Sequence, residues 1–210
     1  MLHTMLLDII DNATDAAVAN WIEAKLQSAL AKAGKRPIAI SVPGGSTPFP
    51  ILALLAKCPL DWSRIAIWPG DDRIVDEASP YSNVGRIRAL LEPVGAQIVP
   101  LAQQAKPPRF ALVWLGMGGD GHIASLFPNT NPQPNDPLPL RRITPDPLPP
   151  EAPFDRLTLT IPALIHCDAM LFVLRGADKA ALFAAAARGE NDLPVARLLK
   201  AACAPVTCFT

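Results

Sequence analysis

Apolar side chains at Val18, Trp21, Ile22, Leu26, Ala29, Leu30 and Ala33 recur with the 3.6-residue period of a helix, and Gly34 stands where such a helix would end. This predicts an amphipathic helix over residues 14–33 that covers a sheet. Residues 38–42 follow as a short, continuous apolar run, the pattern of a buried strand. Similar runs recur at 64–68, 97–99, 110–115, 169–174 and 206–209, and residues 156–161 alternate as a strand does. Helical segments are predicted between them: 48–57, where Thr47 and Pro48 suit an N-cap and first turn; 83–91 behind Ser82; 177–188 between Gly176 and Gly189; and 193–201. The alternating order predicts an α/β fold with a mainly parallel sheet covered on both faces.

Two stretches break the alternation. Only about ten residues separate 99 from 110, too few for a covering helix with its loops. Ten of the 24 prolines fall between Pro128 and Pro153, so residues 128–155 are expected to form a loop or flap with little regular structure.

Composition narrows the class. At 210 residues the chain can bury one sizeable core, and a single domain over 1–210 is expected. With 19 basic and 19 acidic residues it shows no electrostatic footprint for nucleic acid or an anionic membrane. The N-terminus lacks a basic region before its apolar residues, and no apolar run is long enough to span a bilayer, so a soluble cytoplasmic protein is expected. Cys58, Cys167, Cys203 and Cys208 have no metal-binding or disulfide spacing and read as small buried residues.

Candidate chemistry gathers where strands end. The apolar run at 112–115 opens into Gly116-Met117-Gly118-Gly119-Asp120-Gly121-His122, a turn with few side chains that delivers an acid and a histidine to the rim of the sheet. The strand at 38–42 opens into Gly44-Gly45-Ser46-Thr47-Pro48, a tight turn before a helix, where backbone N–H groups can hold an anion. The strand at 64–68 opens into Asp71-Asp72-Arg73. Lys179 sits in a first helical turn, where the helix dipole disfavours a cation unless it faces an anion. Ligands of open α/β sheets bind outside these carboxyl ends.

In this order, residues 44–48, Asp71-Asp72-Arg73 with Ser82-Asn83, the block 115–128 ending Ser-Leu-Phe-Pro, Arg156-Leu-Thr-Leu-Thr160, and Gly176 with Lys179 resemble the 6-phosphogluconolactonase family, which groups with glucosamine-6-phosphate deaminases and isomerases. The resemblance implies a three-layer, Rossmann-like sheet. It implies hydrolysis of 6-phospho-D-glucono-1,5-lactone to 6-phosphogluconate, in the pentose phosphate or Entner-Doudoroff route, with a small sugar phosphate lactone as partner. His122 would then be the base that activates water, since imidazole takes and returns a proton near neutral pH. Asp120 would orient it. Arg73 would either bind phosphate or stabilise the oxyanion. Gly44, Gly45, Ser46, Thr47, Arg156 and Lys179 would hold the phosphate, and Asp71 would meet sugar hydroxyls or position Arg73.

No cofactor or metal is expected, because His3 and His166 do not converge with His122 on a ligand set. Nor does a GxSxG nucleophile appear. Three features depart from the family: Asp72 stands for a glutamate, the helix before residue 110 is reduced, and Thr210 falls short of the usual acidic C-terminal segment. A glucosamine-6-phosphate deaminase or isomerase is the nearer alternative, but residues 123–128 carry no further carboxylate to shuttle a proton between sugar carbons. A non-catalytic sugar-phosphate sensor domain is the more distant one.

Overall fold

The computed structural model describes residues 6–150 and 152–210, so His3 lies outside the described residues. A seven-stranded sheet is built from β1 (Leu7–Ile10), β2 (Ile38–Val42), β3 (Ile65–Pro69), β5 (Gln97–Ile98), β6 (Leu112–Leu115), β9 (Met170–Val173) and β10 (Val206–Phe209). Every neighbouring pair is parallel, in the order β1-β10-β9-β6-β2-β3-β5. The helices are α1 (Asp15–Ala33), α2 (Pro48–Leu55), α3 (Asn83–Leu91), α4 (Ile161–Ile165), α5 (Ala177–Ala187) and α6 (Pro194–Ala201).

Alternation along the strands divides the core into two layers. Leu112 and Trp114 of β6, with Leu171 and Val173 of β9, pack with Ile22 and Leu26 of α1, Ile51 and Leu55 of α2, and Ile87 of α3. Val113, Leu115, Met170 and Phe172 point the other way, into Leu164 of α4, Phe183 of α5 and Val195 and Leu198 of α6. All four residues of each of β6, β9 and β10 are buried, as expected for strands covered on both sides.

The helix read over 14–33 forms as expected. The Thr14 side chain accepts the Ala17 N–H at 3.2 Å, and Gly34, at φ 63°, terminates the helix in a conformation that side chains disfavour. The link from 99 to 110 carries no helix. A second, three-stranded antiparallel sheet joins β4 (Asp71–Arg73), β8 (Arg156–Leu159) and β7 (Leu140–Ile143) in the order β4-β8-β7.

Several expectations need correction. Within the proline-rich stretch, expected to hold little regular structure, one short strand forms: β7, between Pro139 and Pro145, because β8 supplies a partner ladder that local sequence does not reveal. The strand read over 156–161 stops at Leu159 and turns into α4, with Pro162 in its first turn. β1 carries no strand signal in the sequence: its four residues lack alternation and pair only with β10. Cys167 and Cys208 are buried, and burial pushes both thiols up to about 12. Cys58 is half-buried and Cys203 is exposed. No helix among the described residues is long and apolar enough to cross a membrane.

Phe172 is fully buried on β9 and packs against the Phe183 ring at a centroid distance of 4.8 Å. Phe172→Ala is expected to destabilise the fold by about 3–5 kcal/mol in urea unfolding. A loss below about 1 kcal/mol would contradict this packing.

Candidate active site

The strand order reverses beside β2. The chain runs outward from β2 through β3 to β5, then returns to β6 on the other side and continues to β9 and β10, while β1, the first strand, lies at the outer edge beside β10. Such a reversal leaves a crevice at the carboxyl ends of the two diverging strands. A cleft of about 330 Å³ opens there, lined by the turn after β2 (Gly44 to Thr47), by Asp71 and Arg73, by Gly118 and His122, and by Arg175 and Lys179. The motifs read separately in the sequence therefore meet at one place.

The histidine loop is fixed by its own backbone. Gly118 N–H donates to the His122 carbonyl at 2.9 Å, and Gly121, at φ 80°, donates to the Gly118 carbonyl at 3.1 Å. Asp120 Oδ1 accepts the His122 N–H at 3.2 Å and lies 2.6 Å from the imidazole Nδ1. Burial alone would raise the Asp120 carboxyl, but the charge and hydrogen bonds of His122 outweigh it and hold it below its ordinary value. An ionised Asp120 can only accept, so Nδ1 carries the proton, and in the neutral ring Nε2 is the acceptor. Phe127 packs on the ring at 4.9 Å. Gly118 is required beneath it, since a β-carbon there would sit 2.2 Å from the imidazole Nδ1 and Cε1. Asp120 is behind the ring and does not line the cleft.

The acidic pair after β3 divides its tasks. Asp72 turns away from the cleft and holds the start of α3. Its Oδ1 accepts the N–H groups of Arg73 and Asn83, both at 2.7 Å, and its Oδ2 accepts the Val84 N–H at 2.9 Å and the Ser82 hydroxyl at 3.2 Å. Burial pushes its carboxyl up, and the three backbone donors oppose that push. The glutamate-to-aspartate departure thus falls on a residue that the structure uses as a helix anchor.

Asn83, 1% exposed, links this anchor to the cleft. Its Oδ1 accepts from Arg73 Nη1 at 2.8 Å and its Nδ2 donates to the Asp71 carbonyl at 2.9 Å. A guanidinium has only donors, so this contact fixes which way the amide faces. Gly44 makes room: a β-carbon on it would lie 2.2 Å from Asn83 Oδ1. Asp71 faces the cleft, and its Oδ2 accepts the hydroxyl of buried Ser125.

Two sequence readings change. Thr47 opens α2, but its backbone is helical (φ −66°, ψ −43°) and its hydroxyl makes no cap, so the N–H groups of that turn are not claimed by it. Arg156 is not on the cleft wall. It stands directly opposite Arg73 in the β4–β8 ladder, is 4% exposed, and donates from Nη2 to the Ala152 carbonyl at 2.9 Å. Its Nη1 has no hydrogen-bond partner among the described residues. Burial, then the charge of Arg73, disfavour its cation, while Asp71 and Asp72 favour it. Asn83, Ser125 and Arg175 were not read as site residues. Asn83 and Ser125 stand inside the motif blocks, and a polar residue type within those blocks is the signal the sequence offers, while their burial is visible only in the fold. Among the described residues no group of three or more His, Cys, Asp or Glu side chains is placed to hold a metal ion.

Removing the Asp72 carboxylate would take the partner from three backbone N–H groups, of which those of Asn83 and Val84 are buried. Asp72→Ala is expected to cost about 2–4 kcal/mol in urea unfolding. A cost under about 1 kcal/mol would show that α3 does not depend on it.

Comparison with known proteins identifies the family. The family model for glucosamine-6-phosphate isomerases/6-phosphogluconolactonase matches residues 11–106 and 95–207. A 6-phosphogluconolactonase of Pseudomonas aeruginosa is 34% identical, covering 86% of this chain and 84% of its own length. One from Pseudomonas putida is 36% identical, covering 85% and 80%. A solved 6-phosphogluconolactonase from Shewanella baltica superposes with a TM-score of 0.79 at 25% identity, over 100% of this chain and 98% of that one. The chain belongs to the family of glucosamine-6-phosphate isomerases and 6-phosphogluconolactonases.

Proposed function

We propose that the cleft hydrolyses 6-phospho-D-glucono-1,5-lactone to 6-phosphogluconate, with His122 as general base. The observation that carries this is an imidazole whose Nδ1 is committed to Asp120, presented in a cleft that also holds cations on two sides. Relatives named 6-phosphogluconolactonase support the substrate. Water attacks the lactone carbonyl as Nε2 accepts its proton, and a tetrahedral oxyanion forms. The ring C–O bond then breaks, and the proton passes from the imidazolium to the departing ring oxygen. A lactone already has a strained ester and a tethered leaving group, so one base and one oxyanion partner suffice.

The cleft supplies these parts in different places. Arg73 reaches in from the β3 side and Lys179 from the β9 side, with the Gly44 to Thr47 turn between them. The turn and Lys179 hold the phosphate, as charge-assisted bonds to a dianion favour. Arg73, steadied by Asn83, then meets the carbonyl oxygen as it becomes negative. Asp71 accepts from sugar hydroxyls. Arg156 acts only through the charge it places behind Arg73.

His122→Asn is expected to lower kcat for acid release, followed by pH-stat, by about 100-fold or more. Unchanged turnover would remove His122 as the base. Lys179→Ala should raise KM with kcat nearly constant, and a loss confined to kcat would contradict a phosphate-binding role.

Acidification gives a third test. Asp120, held below its ordinary value, stays ionised through the ordinary carboxylate range, so its hold on Nδ1 persists as pH falls. The stability that Asp120 contributes is present above its unfolded value and is lost only as pH falls through its lower folded value. Asp120→Asn should depress kcat/KM throughout; an unaltered profile would show that the carboxylate does not serve the imidazole.

A further inference from the structure

Arg175 lies just beyond the end of β9 and lines the cleft four residues before Lys179, so two cations border the same side of the site. Its Nη2 donates to Asp15 Oδ1 at 2.8 Å. The two side chains are 34% and 40% exposed, so neither is sealed away from a ligand. Asp15 occupies the first turn of α1, where the helix dipole stabilises a carboxylate whether or not an arginine is present. The carboxylate is therefore a fixed post against which the guanidinium is held. A guanidinium offers five N–H donors in one plane, and Asp15 engages one of them, so donors remain for an anion in the cleft.

A phosphate monoester carries roughly two negative charges near neutral pH. Lys179 alone matches one of them. On the reading that the cleft binds a phosphorylated lactone, we propose that Arg175, positioned by Asp15, is the second cation on the phosphate and the residue that makes the site discriminate phosphorylated from unphosphorylated lactones. Arg73 is left for the carbonyl end. The pair also ties the start of α1 to the active cleft, although no motif lies there.

The test compares hydrolysis of 6-phosphogluconolactone with that of unphosphorylated glucono-1,5-lactone, beside calorimetric binding of inorganic phosphate. Arg175→Ala is expected to raise KM for the phosphorylated lactone about tenfold or more and to weaken phosphate binding by a similar factor. kcat should stay within about twofold, and kcat/KM for the unphosphorylated lactone should not change. Arg175→Lys should recover part of the loss, which separates charge from folding. Asp15→Ala should raise KM by less, and should add nothing in the Arg175→Ala background if it acts through the guanidinium.

Equal losses on both lactones, or unaltered KM and phosphate binding in Arg175→Ala, would overturn the assignment. A wild-type protein that binds phosphate through Arg175 yet hydrolyses neither lactone would uphold Arg175 as a phosphate cation while refuting the lactonase reading and, with it, the discrimination between lactones. Wild-type hydrolysis that Arg175→Ala leaves untouched would do the reverse.

Discussion

An imidazole can offer a basic nitrogen to a ligand only if its other nitrogen is held elsewhere, and here that hold is a 2.6 Å contact between His122 Nδ1 and Asp120 Oδ1. The same carboxylate oxygen also takes the His122 N–H, so one short loop sets both the ring's tautomer and its direction. Glycine is needed at 118 because the ring rests where any side chain would be. The residues of this loop are few, and each removes an alternative position for the imidazole.

The opposite wall is built by a longer chain of dependence. Asp72 grips the start of α3, α3 presents Asn83, and Asn83 holds Arg73 and the backbone of Asp71. Gly44, on the turn after β2, stays bare so that Asn83 can fit. Both walls stand at the point where the strand order reverses beside β2, which is why residues distant in sequence share one cleft. The energetic weight lies in the buried layers on either side of β6 and β9, and the rim chemistry depends on that rigidity.

Much of this was legible in the sequence, for physical reasons. Strands buried on both faces read as continuous apolar runs, and α1 shows its stripe at helical period; both are local signals. Gly116 to His122 and Gly44 to Pro48 stand out because glycines at a strand exit let the backbone turn sharply or approach a ligand closely. What stayed hidden depends on partners far along the chain. β7 and β1 exist because β8 and β10 pair with them. Arg156 sits in a motif block, yet its burial follows from standing opposite Arg73 across a ladder that only the fold creates. Asp72 reads as half of an acidic pair at the rim, but the start of α3, eleven residues later, claims its carboxylate. Arg175 looked like an ordinary arginine after a buried strand until the strand order placed it beside the cleft.

The central claim is that Asp120 fixes the neutral imidazole with its proton on Nδ1 and leaves Nε2 bare toward the cleft. Nitrogen-15 NMR of histidine-labelled protein at neutral pH, with the His122 signals assigned by their loss in His122→Asn, reads this directly. A protonated Nδ1 and an unprotonated Nε2 are the expected result. A neutral ring carrying its proton on Nε2 would contradict it, since that nitrogen would then have no lone pair with which to draw a proton from water.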